Sequence, residues 1–264
     1  MSQFAQDIKD RFVLYVDSFS SNDPQIRYNI TLKKEHTFRV CSEITAIGVA
    51  EGLTEGDLRI AQIIALLHDV GRFEQYTRYK TFSDNLSVNH AELGIAVVND
   101  TNVLRNIPDD ERSLVLDAIA FHNRAYLPDG LTDRTALFAK LIRDADKLDI
   151  VHLMTALYRD PDAGARKSFE LAMPPTPALS TKAIEAVYRE SIVTFADMHS
   201  PDDFKILQMA WIFDLNFTWS LRQFHERNYL GSLTDALPDN DTVRKLHVFT
   251  KKKLMERLGP AGIP

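Results

Sequence analysis

The chain has a single cysteine, Cys41, so no disulfide can form within it and a reducing compartment is the expected setting. No apolar run is long enough to span a bilayer. The opening residues, MSQFAQDIKDRF, are polar and amphipathic and lack the apolar centre of a secretion signal. Alternating β-branched runs and hairpin dipeptides are scarce, which argues against a sheet. There is no internal repeat and no low-complexity segment. Neither sign of charge dominates: 31 basic and 37 acidic residues are mixed along the chain, for a net charge of −6. Nothing in that balance suggests a general nucleic-acid binder or a protein that coats anionic membranes. These absences together leave a soluble, cytoplasmic, nearly all-α protein as the expectation. Oligomeric state has no sequence signal.

What is present is helical periodicity. The 264 residues are 45% hydrophobic, enough for a full core in one large domain. In GDLRIAQIIALLHDVG, Leu58, Ile60, Ile63, Ile64, Leu66 and Leu67 form a broad apolar face, and Gly71 fits a helix C-terminus. RSLVLDAIAFHN places Leu114, Val115, Ala118, Ile119 and His122 on one face. The stretch TALFAKLIRDADKLDIVHLMTALY has no glycine or proline and predicts a long helix. Another helix is predicted to begin at Ser200-Pro201-Asp202-Asp203, which has good N-terminal chemistry. Two segments read as loops, YTRYKTFSDNLSVN and the Pro- and Ala-rich RDPDAGARKSFELAMPPTPALS, the second as a connection or a lid. The aromatic residues Trp211, Phe213, Phe217, Trp219 and Phe224 read as core.

Polar residues interrupt this pattern at particular places. His68 and Asp69 stand side by side at the end of an apolar run, although burying unpartnered polar groups costs about 1–3 kcal/mol or more each. His36, His90 and His122 also lie at or within apolar helical segments, and Asp146 lies inside LIRDADKLDIV. Any one of these has a plain explanation as a hydrogen-bonded core residue or a cap. As a set, imidazoles and carboxylates are the donors that suit Zn, Mn, Fe and Ni ions. An ion would replace the lost solvation of several of them at once, and a carboxylate with two oxygens can bridge a pair of ions.

The order His, His-Asp, His, His, Asp resembles the HD superfamily of metal-dependent phosphohydrolases. The resemblance covers about residues 31–153 and rests on LLHDVGR, with EHTFRV before it and RDADKLD after it. It implies an all-α, HD-domain helical bundle with extra C-terminal helices packed on it, as a single domain. The metal-binding core would span about 31–153 and the helical extension about 159–264. It implies that His36, His68, Asp69 and Asp146 hold one divalent ion, with Asp146 preferred over Asp144 and Asp149 because it follows a small residue and precedes a non-acidic one. His90 and His122 would complete a site for a second ion, with Asp69 as the bridge. The cofactor is then a pair of divalent transition metal ions, Fe, Mn, Ni, Co or Zn.

The same resemblance makes Asp69, Arg72 and Lys80 the expected catalytic residues, Arg72 facing substrate phosphate with its planar fork of donors and Lys80 as the weaker candidate. The expected substrate is a phosphate ester or anhydride of a nucleotide or another small phosphorylated metabolite, hydrolysed by metal-activated hydroxide. HD-type di-iron oxygenases share this ligand order, so an oxidative chemistry is the alternative; a non-catalytic nucleotide-binding module is a third. Glu74 and Asp84 are candidate acceptors for the outer N–H of ligand histidines. Arg78 reads as a solvated loop charge, Ser87 as an N-cap, Asn123 and Arg124 as neighbours of the pocket, and Lys147 as the partner of an acidic residue.

Overall fold

The structure is a computed structural model that describes residues 3–160, 173, 176 and 178–259. It is helical, with no strand among the described residues. The chain divides into two compact units, Met1–Asp149 and Ile150–Pro264.

The first unit contains α1 (Gln3–Asp17), α2 (Pro24–Ala50), α3 (Glu55–Leu67), α4 (Gly71–Tyr79), α5 (His90–Asp100), α6 (Asp109–Phe121) and the greater part of α7 (Asp133–Arg159). Local chemistry sets these starts. Asp23 caps α2 by accepting from the N–H groups of Gln25 and Ile26, with Pro24 at the first helical position, and Thr54 caps α3 by accepting from Asp57 N–H. α3 is the buried centre of the unit and packs on α1, α2 and α6. Its Ile60, Ile63, Ile64, Leu66 and Leu67 are all within the core. At about 1.5–3 kcal/mol for each large apolar side chain removed from water, this face holds the end of α3 firmly in place. α4 packs on α2 and α5, and α5 on α6.

Several local expectations differ from what is found. α3 stops at Leu67, so His68 is its C-cap and Asp69 lies in the turn before α4, not inside a helix. Gly71 does not end a helix; it is the first residue of α4. It is glycine because α5 passes close by: a Cβ there would lie 2.3 Å from the His90 carbonyl oxygen and 2.6 Å from Gly94 N. The polar loop after the HD pair is partly helical, since YTRY forms the end of α4, which Lys80 closes in a left-handed conformation at φ 57°. Ser87 does not cap α5; Asn89 does, through bonds from Ala91 and Glu92 N–H, while the Ser87 hydroxyl donates to the Ser83 carbonyl.

The second unit holds the end of α7 and α8 (Thr181–Tyr188), α9 (Pro201–Ala210), α10 (Thr218–Glu226), α11 (Tyr229–Asp235) and α12 (Asp241–Leu258). Ser200 caps α9 as its sequence suggests, accepting from Asp203 N–H with Pro201 first in the helix. The helix expected to run on from there breaks at a 3-10 turn, Trp211–Phe213, and again at Asn228, where φ is 51°. Phe217 and Phe224 are buried, whereas Trp211, Phe213 and Trp219 are only half-buried. Most of the Pro- and Ala-rich stretch between α7 and α8 lies outside the described residues, and with it the reading of that segment as a lid or connection.

Candidate metal centre

The ends of α3, α5 and α6 and the middles of α2 and α7 bring one set of polar side chains together. α2 supplies His36, the turn after α3 supplies His68 and Asp69, α5 starts with His90, α6 is closed by His122, and α7 supplies Asp146. All but Asp146 are buried, and its side chain is 16% exposed.

Asp69 is the centre of the arrangement. Its Oδ2 lies 3.4 Å from His36 Nε2 and 3.7 Å from His68 Nε2, while its Oδ1 lies 3.3 Å from His90 Nε2 and 3.6 Å from His122 Nε2. One carboxylate therefore presents one oxygen to each of two histidine pairs. Asp146 Oδ1 joins the first pair, 3.2 Å from His36 Nε2 and 3.7 Å from His68 Nε2. In each of the groups His36, His68, Asp146 and His68, Asp69, His122, the donor atoms lie within 4.8 Å of one another.

The outer nitrogen of every ring is already committed. His36 Nδ1 is 2.6 Å from Asp149 Oδ2, His68 Nδ1 is 2.8 Å from the Ala65 carbonyl, His90 Nδ1 is 2.7 Å from Asp84 Oδ2, and His122 Nδ1 is 2.7 Å from the Ile119 carbonyl. Carbonyls and ionised carboxylates only accept, so each Nδ1 carries hydrogen and donates, and this bonding assigns the tautomer. In the neutral rings each Nε2 then turns a lone pair inward.

That inward set fits a metal. His36 Nε2 and His68 Nε2 are buried and have no hydrogen-bond partner. His90 Nε2 and His122 Nε2 face one another at 2.9 Å, which sets lone pair against lone pair unless a cation is shared. The charges make the same demand. Burial and Lys33 both disfavour a charged His36, yet the carboxylates of Asp146, Asp149 and Asp69 outweigh them and push its pKa up to about 10. Burial opposes the ionised form of Asp69 and of Asp146, but both are held well below the ordinary carboxylate range. For Asp69 the neighbouring Lys33 and histidines do this; for Asp146, His36 and His68. His90 behaves oppositely: burial, then Arg72, lowers it to about 3, so its ring is neutral and able to ligate. Nitrogen and carboxylate donors of this kind suit a borderline transition ion such as Zn, Mn, Fe, Co or Ni.

A second layer orients the donors. Asp149, set aside in the sequence as a ligand, holds His36 and is itself held by Arg39, whose Nε lies 2.6 Å from Oδ1. Asp84 accepts from His90, from Arg72 Nη1 at 2.9 Å, from Gln75 and from Asn123 Nδ2. Arg143, one turn before Asp146 on α7, donates to the carbonyls of Arg124 and Ala125 and so pins the chain that follows His122. Buried Gln75 ties Arg72 to Asp84, Ser87 and the Val88 carbonyl.

The structure does not bring every candidate to this cluster. Lys80 is exposed at the end of α4, where its ammonium donates to the Thr77 carbonyl. Glu74 pairs with Arg78 and not with a histidine of the cluster. Arg124 lies over the Phe121 ring. Arg72 is beside the centre, with Nε 3.5 Å from Asp69 Oδ1, but its Nη1 donates to Gln75 Oε1, Asp84 Oδ1 and the Phe82 carbonyl. Lys33 is there and was not anticipated: its Nζ lies 2.7 Å from Asp69 Oδ2. The signal for Lys33 and Arg39 was their spacing, three residues before and after His36, which puts all three near one face of α2.

Residues 34–150 match the model of the HD domain family, and this segment of the chain is an HD domain. Every residue of the inward-facing set falls inside it. HD domains bind divalent metals and are commonly metal-dependent hydrolases. No curated protein and no solved structure matches the chain.

Proposed function

We propose, for a chain that carries an HD domain over residues 34–150, that it is a metal-dependent phosphohydrolase with two ions in one site. The substrate is a phosphate ester or anhydride of a nucleotide or another small phosphorylated metabolite. The observation that carries the reading is the division of Asp69 between two histidine pairs, one oxygen to each. His36, His68, Asp146 and Asp69 would hold one ion; His90, His122 and Asp69 would hold the other. Ions bound there would supply hydroxide near neutral pH and neutralise charge on the phosphoryl oxygens.

The chain's own residues prepare that chemistry. Asp149, Asp84 and the Ala65 and Ile119 carbonyls keep the four rings in one tautomer and orientation. Charge supports an anionic substrate. Four carboxylates, Asp69, Asp84, Asp146 and Asp149, meet three paired cations, Lys33, Arg39 and Arg72. With neutral histidines that leaves one negative charge, and two divalent ions turn it into three positive charges, which a phosphate dianion and a hydroxide would balance.

The test is metal analysis and an activity screen on one sample. Protein purified without chelator should hold about two transition ions per chain and hydrolyse members of a phosphomonoester and nucleotide panel, with chelation abolishing turnover. A mixed-valent di-iron signal with O₂ consumption and no phosphate release would overturn the hydrolase reading. A fully metallated sample that only binds nucleotide would do the same.

A further inference from the structure

We propose that Lys33 is a further catalytic residue of this centre, the cation that receives a phosphoryl oxygen of the substrate. The proposal rests on the phosphohydrolase reading and names a contact within it. Lys33 is buried, 6% exposed, and its position on α2 three residues before His36 brings its ammonium to the Oδ2 side of Asp69. An ammonium has three N–H donors. Among the described residues, only Asp69 accepts from Lys33, at 2.7 Å. Two donors are left over in a place where unspent donors are costly. The Phe82 ring, with its centroid 5.4 Å from Nζ, walls the charge without taking a hydrogen bond.

The comparison with Arg72 decides which cation is equipped for a ligand. Arg72 is tied through Nη1 to Gln75, Asp84 and the Phe82 carbonyl, so it is built into the loop that orients His90. Lys33 touches that loop only through the Phe82 ring, with no hydrogen bond to it among the described residues. Its one bond goes to an oxygen that ions would also draw upon, and its remaining donors suit the non-bridging oxygens of a phosphoryl group as a compact point charge. The family resemblance implies this task for Arg72 and, more weakly, Lys80, yet Lys80 bonds the Thr77 carbonyl on the surface.

Inorganic phosphate is the probe. It is titrated calorimetrically into Mn²⁺-loaded wild type, Lys33→Met and Lys33→Arg, with metal content measured on each sample. Lys33→Met should keep its ions and bind phosphate about 10- to 100-fold more weakly, the range for a lost hydrogen bond to a charged group. Lys33→Arg should recover most of the affinity. Phosphate affinity within twofold of wild type in Lys33→Met, or no phosphate binding by wild type, would overturn the proposal. So would loss of ions from Lys33→Met, which would make Lys33 a support for Asp69 only. Should the methionine variant not fold, the ¹⁵Nζ resonance of Lys33 in lysine-labelled wild type is decisive: it must shift on adding phosphate, and an unmoved signal refutes the contact. Wild type that binds phosphate through Lys33 but hydrolyses no ester would sink the function and leave this contact standing.

Discussion

On the two-ion reading proposed above, replacing Asp69 by alanine separates two jobs that one carboxylate would perform. The first is ligation. Without Asp69, the first subsite keeps His36, His68 and Asp146, while the second keeps only His90 and His122. Two imidazoles are too few for a structural or catalytic site of this kind, which uses three or four protein ligands. Metal content should therefore fall from about two ions per chain to one or fewer, and turnover to background. The second job is neutralising Lys33. Their side chains are 8% and 4% exposed, so the pair is not screened by solvent, and removing one partner strands a buried charge at about 3–5 kcal/mol. In excess chelator, where ion loss no longer contributes, Asp69→Ala should melt roughly 6–20 °C below wild type, at about 2–4 °C per kcal/mol for chains of this size. The double variant Asp69→Ala/Lys33→Met removes the stranded charge as well and should regain at least half of that loss. Metal analysis, a phosphoester assay and thermal melts in chelator read all three effects. Two retained ions with turnover would refute the bridging assignment, and a double variant no more stable than the single one would refute the account of Lys33.

Asp84→Asn and Asp149→Asn leave every inward donor in place but weaken the grip on His90 and His36, so each should lower metal affinity about 10- to 100-fold in a competition titration, with little loss of turnover once ions are saturating. Unchanged affinity in both would show that the rings are held by packing alone. Gly71→Ala sets a methyl group against the His90 carbonyl oxygen and Gly94 N, both backbone atoms that cannot swing aside. It should destabilise the protein by about 1–3 kcal/mol or more, measured by denaturant melts, and disturb the second ion before the first; a variant as stable as wild type would contradict the close approach of α4 and α5. Lys80→Ala should leave kcat and KM within about twofold of wild type, because a surface ammonium bonded to a carbonyl is worth little; a tenfold loss would return Lys80 to the active centre.

Much of the first unit could be read from its residues. The apolar face of Ile60, Ile63, Ile64 and Leu67 marks α3, and the absence of glycine and proline marks α7. Boundaries were harder. The pattern around Gly71 looks like a helix end, yet the residue opens α4, because it is the closeness of α5, a contact from more than fifteen residues away, that demands glycine there. The long helix expected after Ser200 breaks at Trp211–Phe213, where apolar periodicity continues through a 3-10 turn and conceals it. Ser87 and Asn89 are both chemically able to cap α5, and only the backbone shows that Asn89 does so.

The sequence by itself determined the kinds of group available: histidines and aspartates set into apolar helical segments, a combination that burial makes expensive unless something cationic joins them. Spacing also put Lys33, His36 and Arg39 along one side of α2. Only the tertiary structure decided how these groups divide. It gave the two oxygens of Asp69 to separate histidine pairs, made Asp149 a support for His36 while Asp146 faces inward, left Lys80 on the surface and brought Lys33 to the centre. The physical reason is that a ligand set is defined by directions. Which oxygen of a carboxylate faces which ring depends on the packing of helices distant in sequence, and no local pattern records it.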